Sequence, residues 1–398
     1  MITQSDNFEF HLPVSLYFGV NSLQRIPQIC SQYGTNILLV TSIDLKQIEK
    51  EILSILEQSN FLIDRFYLNS PEPTCLFIDL SAKELATKNY DCIIGLGGGS
   101  AIDMAKSLSI ALTNPEQIWA YTNLSTRPPK PIKNKTIPII AIPTTAGTGS
   151  EVTPYAVLTN PETNQKGTIQ EVEIFPKAAF IDPNLMISMP AELTASTGID
   201  AFAHALESCL NISKSSPVSE LAGVEAMRLI FQFLPQVLQQ PSNLTYRMNM
   251  AWASTLAGIA IAHRGTTTAH AIAETLGGLT KIPHGHCVMI STMPTLKMTV
   301  KKTKDKIAAF YDLLNWKNEK NLTNNEKAEY FVVKVEELIK EISMKRNVRY
   351  YDKKTEGLNE KLLNHMIQNK FRPLNQHIVQ FSREELLTII NEIIGDDA

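Results

Sequence analysis

Asp91-Cys92-Ile93-Ile94-Gly95-Leu96-Gly97-Gly98-Gly99-Ser100-Ala101-Ile102-Asp103 runs from an apolar strand through a glycine turn into the start of a helix. Glycines let backbone approach a pyrophosphate closely, Ser100 is placed to cap the helix, and a helix N-terminus attracts that charge. The run is not the G-x-G-x-x-G fingerprint, because the last glycine is missing, and it lacks the Lys-Ser/Thr of a P-loop. Taken alone it leaves two readings open, a phosphate loop or a tight structural turn.

The flanking chain repeats one pattern on both sides. Ile37 to Val40 is a short apolar run, followed by a helical pattern from Leu45 to Leu56. Phe61 to Tyr67 reads as a strand, Leu76 to Ala86 as a helix, Ala101 to Leu112 as a helix, and Ile137 to Ile142 as a strand. Short, unalternating strands separated by helices predict a parallel sheet buried on both faces. After the last of these strands comes Ile142-Pro143-Thr144-Thr145-Ala146-Gly147-Thr148-Gly149-Ser150-Glu151, crowded with hydroxyls and glycines. Two such turns at the carboxyl ends of neighbouring parallel strands form the crevice where dinucleotides lie, so together they favour a nucleotide site.

Near Pro190 the pattern changes to long helical stretches, such as Glu220 to Leu234 and Met248 to Ala262. The reading is therefore an α/β N-terminal dinucleotide-binding domain over 1–189 and an all-helical C-terminal metal-binding domain over 190–398. A chain of 398 residues suits two such cores. The stretch from Lys297 to Lys361, rich in Lys, Glu and Asn, reads as a solvated helical face. A net charge of −3 points away from nucleic-acid and membrane-surface partners. The five cysteines are scattered, with no C-x-x-C pair, as expected of free thiols in a reducing cytoplasm. Met1 to Asn7 lacks the features of a signal peptide, and no apolar run approaches about 18 residues, so no spanning helix is expected.

His204, His263, His270, His284 and His286 crowd into one part of the chain. Asp200 and His204 are four apart, on one face of a helix. His270 lies on a later helical segment, and His284 sits in a turn-like Pro283-His284-Gly285. Three imidazoles and one carboxylate, Asp200, His204, His270 and His284, suit a divalent first-row metal such as Zn2+ or Fe2+.

Taken together, these motifs resemble the iron-containing (group III) alcohol dehydrogenase family. The resemblance spans Pro13 to Gly19, Gly97 to Ser100 with Asp103 and Lys106, Pro143 to Glu151, and Phe180 to Pro183. It continues through Thr197 to Ala201 with His204 and Glu207, then His270, Gly277-Gly278 and Pro283 to Gly285. It implies the two-domain fold shared by these dehydrogenases and dehydroquinate synthase, with the active site between the domains. It implies that Asp200, His204, His270 and His284 hold the metal, and that Gly98, Gly99, Ser100, Asp103, Thr144, Thr145 and Lys166 contact the dinucleotide. The implied reaction is hydride transfer between a nicotinamide and a small alcohol or aldehyde, in a cytoplasmic enzyme with a homodimer as the default assembly.

The chain departs from the family pattern at three places. Ser42, in Val40-Thr41-Ser42, stands where many members carry an Asp for the adenosine ribose; without that carboxylate NADP is as acceptable as NAD, with a lean to NADP. Glu274 stands where members commonly carry a second His, and His263-Arg264 replaces small or amide residues. Glu274 and His263 are thus candidate catalytic residues, Glu274 as a proton relay or a contact to a polar substrate group. The structural alternative is a Glu274 paired with Arg264 or hydrogen-bonded to His263. Arg264 could instead face an acidic substrate, or lie on the helix surface. A dehydroquinate-synthase-like cyclase that uses NAD transiently, and a homologue with altered catalysis, are the rival functions.

Overall fold

The computed structural model describes residues 7–57, 59–70, 72–214, 216–316, 322–342, 347–352 and 355–395. The chain splits into two compact units. One comprises His11–Met189 and Ser242–Ala251, the other Met1–Phe10, Pro190–Pro241 and Trp252–Ala398. A single cut after residue 189 therefore separates most of the two units, but a short N-terminal stretch and the start of one long helix group across it.

The first unit is built on eight strands: β1 (Ser15–Phe18), β2 (Asn36–Ser42), β3 (Leu62–Leu68), β4 (Cys92–Gly97), β5 (Ile139–Pro143), β6 (Tyr155–Asn160), β7 (Gln165–Gln170) and β8 (Ala178–Ile181). Six form a sheet in the order β1-β8-β5-β4-β2-β3, every pair parallel, and β6 and β7 form an antiparallel hairpin. The parallel sheet is doubly covered, as the unalternating strands predict. Ile37, Leu39, Ile94 and Ile140 pack on one face with α1 (Ile26–Cys30) and α2 (Lys46–Glu57). Leu38, Val40, Ile93 and Ile139 pack on the other with α3 (Cys75–Leu85) and α4 (Gly99–Ala111). From β2 the chain moves outward to β3, returns to β4 on the other side of β2, and continues away to β5. The strand order therefore reverses between β2 and β4, and a ligand crevice opens at the carboxyl ends of strands at such a point. Val40 pairs in register with Gly95, which puts Ser42 level with Gly97 at that place.

The second unit is helical, with α5 (Ala191–Leu210), α6 (Pro217–Gln239), the latter part of α7 (Leu244–Arg264), α8 (Thr268–Thr280) and α9 (His284–Lys302). These are followed by α10 (Asp305–Leu313), α11 (Asn324–Glu341), α12 (Val348–Tyr351), α13 (Leu358–Asn369), α14 (Phe371–Gln376) and α15 (Arg383–Ile394). Contrary to the expectation of no such segment, α6 is long and apolar enough by length and composition to cross a bilayer. Its Ala222, Ala226, Met227 and Ile230 are buried, while Glu225 and Arg228 pair on its outer side, the pattern of a helix packed in a protein core. Among the described residues of the Lys-rich stretch, Lys297 pairs with Glu336 and Lys327 with Asp312, while 317–321, 343–346 and 353–354 lie outside the described residues.

Candidate active site

Within the α/β unit, the glycine run ends β4 and opens α4. The N-cap is Gly98, not Ser100, which falls inside the first helical turn; Gly98 is extended and makes no side-chain cap bond. Gly98 has no side chain with which to cap α4, and a helix N-terminus attracts an anion. At Gly99 a Cβ would lie 2.7 Å from Thr148 Cγ2, so only glycine lets the two loops approach this closely. Beside Gly98, Thr145 is the nearest neighbour, and Thr144 N donates to the Gly97 carbonyl (3.0 Å), joining the two turns.

Asp103 is placed to hold that loop. Its Oδ1 accepts from Ser150 Oγ (2.6 Å) and its Oδ2 from Val157 N (3.0 Å), so both carboxylate oxygens are engaged within the protein. Lys106, buried one turn further on, donates to the carbonyls of Ser150 (2.7 Å), Thr153 (2.9 Å) and Tyr155 (2.7 Å). Burial brings its pKa down to about 8, against the pull of Asp103 and Glu151. Lys166, on β7, pairs with Glu72 at 2.5 Å.

The helical unit brings the ligand candidates together. Asp200 and His204 come from α5, His270 from α8 and His284 from α9. The Nε2 atoms of His204, His270 and His284 lie 3.9, 3.4 and 3.6 Å from Asp200 Oδ1. Asp200, His270 and His284 each offer a ligand atom within 4.8 Å of the others, and the His204 ring stacks on His270 with centroids 4.5 Å apart. His284 is not in a turn: Pro283 caps α9 and His284 is its first residue. Gly285 follows because a Cβ there would lie 2.8 Å from the Ser196 carbonyl of α5, so the two ligand-bearing helices touch through it. Of the other clustered histidines, His286 pairs with Glu192, and His263 stacks on Phe10 with its Nδ1 3.3 Å from the Ile259 carbonyl.

Glu207 has a role that its place in the sequence does not reveal. It lies one helical turn beyond His204, and its Oε2 bonds His270 Nδ1. Its Oε1 accepts from Thr267 N (3.1 Å), Thr267 Oγ1 (2.8 Å), Ala269 N (2.9 Å) and His270 N (3.3 Å). The carboxylate thereby caps α8 in place of the Thr267 side chain and complements the helix dipole. Because an ionised carboxylate only accepts, Nδ1 carries a proton towards Glu207, which leaves Nε2 as the His270 atom that a metal would take up.

The electrostatics call for a cation. Burial opposes the Asp200 charge, yet His204, His270 and His284 outweigh it and hold the carboxyl below its usual range. Burial likewise opposes a proton on His270, but Glu207 and Asp200 prevail and push it up to about 10. Asp200 Oδ1 and His270 Nε2 are both buried and neither makes a hydrogen bond of good geometry. Orphaned polar atoms of this kind are costly unless something binds them, and three imidazoles with one carboxylate are a donor set for Fe2+ or Zn2+.

Glu274 lies one turn after His270, with Lys370 as its partner rather than Arg264 or His263. Burial opposes its charge, but Lys370, with His270 and His284 beyond, keeps the carboxyl below its usual range. Arg264 bonds the Asn211 carbonyl and lies 3.7 Å from Glu220, so its charge is engaged within the fold.

Comparison with known proteins accords with this geometry. Residues 13–183 match the model of the iron-containing alcohol dehydrogenases, and residues 194–394 match the C-terminal domain of the Fe-containing alcohol dehydrogenase family. A 1,3-propanediol dehydrogenase of Klebsiella pneumoniae is 32% identical over 347 residues, covering 86% of this chain and 88% of the relative. An archaeal halo-thermophilic alcohol dehydrogenase from a Red Sea brine pool superposes with a TM-score of 0.91 at 25% identity, over 98% of this chain and 100% of that one. A sulfoacetaldehyde reductase from Bifidobacterium kashiwanohense, in complex with NAD+, does so with a TM-score of 0.85 at 25% identity and the same coverage. The chain belongs to the iron-containing alcohol dehydrogenase family and is an oxidoreductase of the alcohol dehydrogenase class.

Proposed function

We propose that the enzyme moves hydride between NADP or NAD and a small alcohol or aldehyde, with Asp200, His204, His270 and His284 holding Fe2+ or Zn2+. The observation that carries this reading is the convergence of three imidazole nitrogens on the buried Asp200 Oδ1, with Glu207 behind His270. The bound metal supplies Lewis-acid polarisation of the substrate oxygen. Asp200 brings the negative charge, and Glu207 keeps His270 in the tautomer that offers Nε2.

Gly98, Gly99 and Ser100 at the start of α4 are assigned to the pyrophosphate, with Thr144 and Thr145 beside them and Lys166 contributing charge. Asp103 serves the cofactor by fixing the second turn through Ser150. Ser42, level with Gly97, offers no carboxylate to repel a 2′-phosphate, which favours NADP over NAD. The proton relay is assigned to Glu274, held ionised by Lys370, and not to His263, whose Nδ1 faces the Ile259 carbonyl. Arg264 gives no support to an acidic substrate, being tied to Asn211 and Glu220. The free thiols, Cys30 and Cys92 side by side in the core among them, fit a cytoplasmic enzyme, and a homodimer is the proposed assembly. A single-chain mass by light scattering would overturn the dimer.

The test is to purify the protein without air, load it with iron(II) or zinc, and follow NADPH and NADH oxidation against neutral and acidic aldehydes. Steady, metal-dependent oxidation that is faster with NADPH is the expected result. A transient-NAD cyclase would show no net consumption of nicotinamide. Silence, with metal and nucleotide both bound, would overturn the dehydrogenase assignment and point to altered catalysis.

A further inference from the structure

His377 lies far along the chain from every ligand candidate, yet it is 1% exposed and both ring nitrogens are engaged. Nδ1 lies 2.9 Å from Thr267 Oγ1, and Nε2 lies 2.9 Å from Thr299 Oγ1. The direction of the Nδ1 bond follows from counting protons, while on the Nε2 side the single Thr299 hydroxyl proton has two acceptors in reach, Nε2 and the Thr295 carbonyl (2.8 Å). Glu207 only accepts, so the Thr267 hydroxyl gives it its single proton. Thr267 Oγ1 must then accept from His377, which puts the His377 proton on Nδ1. A continuous chain of bonds results: His377 Nδ1–H to Thr267, Thr267 to Glu207, and Glu207 to the Nδ1–H of His270.

The backbone around His377 is anchored at the end of the helix that carries Asp200 and His204. Ile212 N donates to the Gln376 carbonyl (2.8 Å) and Ile378 N to the Leu210 carbonyl (2.9 Å). Thr267 occupies the N-cap position of α8, which carries His270, and Thr299 lies on α9, which begins with His284. One side chain and its flanking amides thus connect the three helices that supply the ligands.

We propose that His377 is a positioning residue for the metal: through Thr267 it orients Glu207 and hence His270, and through Thr299 it holds α9. The proposal rests on the ligand set assigned above. Its chemistry is that of an outer shell, in which hydrogen-bond partners orient first ligands and their loss weakens metal binding. A partner acting through one intermediate hydroxyl is expected at the lower end of the range, about tenfold.

Zn2+ affinity, measured by competition with a chromophoric chelator, separates this role from mere packing. His377→Leu, which keeps bulk and loses both bonds, is expected to bind Zn2+ about tenfold more weakly than the wild type. His377→Asn places an amide N–H near the lost Nδ1–H and is expected to recover most of that loss. The Co2+-substituted protein supplies a second readout, since a changed ligand field in His377→Leu, restored in His377→Asn, reports the orientation of His270. Should His377→Leu fail to fold, Thr267→Val compared with Thr267→Ser tests the same link. Unchanged Zn2+ affinity in His377→Leu, or equal damage in the Leu and Asn variants, overturns the proposal. The ligand set fails separately: wild-type protein that takes up no Zn2+, or His284→Ala that binds as tightly as wild type, overturns that assignment and the proposal with it.

Discussion

The two sites are built on opposite principles. In the α/β unit the candidate nucleotide site is mostly backbone, made from glycines and hydroxyls in two uninterrupted runs at the ends of β4 and β5. In the helical unit the candidate metal site is all side chain, drawn from three helices and supported by a residue more than ninety positions beyond the last ligand. A backbone site tolerates change in most of its side chains but not an added Cβ. A side-chain site tolerates change in its backbone neighbours but not the loss of one carboxylate.

The sharpest break between them comes from Asp200→Ala. Losing the one charged ligand is expected to weaken metal binding by more than the roughly 100-fold upper end seen for outer-shell changes. Nucleotide binding should be untouched. Metal content by mass spectrometry and nucleotide affinity by fluorescence titration read the two independently. Loss of both together would show that the sites are energetically one, and the contrast would fail.

Glu274→Gln comes next. If Glu274 relays the proton, its loss is expected to slow turnover about 100-fold, the lower end of the acid–base range. Metal and nucleotide affinities should change little. Lys370 loses its charge partner in this variant, so Lys370→Met combined with Glu274→Gln separates proton relay from the cost of a half-buried lone cation. Full turnover of Glu274→Gln across the pH range would remove the relay.

Gly99→Ala probes the other site. The new Cβ meets Thr148 at 2.7 Å and must part the two turns. Overpacking of this kind costs about 1–3 kcal/mol, so nucleotide binding should weaken roughly tenfold or somewhat more while metal affinity holds. An unaltered nucleotide affinity would mean that the approach of the two loops does not shape the cofactor site.

The same contrast explains what the sequence made legible. The parallel sheet could be read because β2, β4 and β5 are apolar on both faces, and two contiguous turns marked the crevice. The four-residue β1 and β8 are too short to carry a periodic signal, and the six-residue, half-buried β6 and β7 carry little of one. The four ligand candidates were legible from residue type and i,i+4 spacing together with a family pattern. Their support was not. Glu207 was visible as a carboxylate one helical turn past His204, but its role depends on α8 beginning against it. Lys370 and His377 come from a segment with no motif, and only tertiary packing puts one against Glu274 and the other against Thr267. The same packing draws Arg264 to Asn211 and Glu220 instead.

The smallest expected effect lies in that hidden layer. Burial lowers the His377 pKa to about 4, although the Glu207 charge pulls it up. The folded protein therefore prefers the neutral ring, while the unfolded chain takes up a proton near the ordinary value of about 6.5. The unfolded state binds more protons below that value, so stability falls as pH drops from about 6.5 towards 4 and loses nothing further below. At pH 6 the loss is about 0.7 kcal/mol, compared with pH 7. His377→Asn cannot titrate, so the wild-type minus variant difference in denaturant-derived stability should shrink across this window. A difference that stays flat from pH 7 to pH 4 would mean that folding leaves the His377 pKa unshifted, and one that grows as pH falls would mean that His377 is already protonated in the folded protein. Thr267 would still receive its Nδ1 proton, but Nε2 would then donate to Thr299 and the link to α9 would run in the opposite sense.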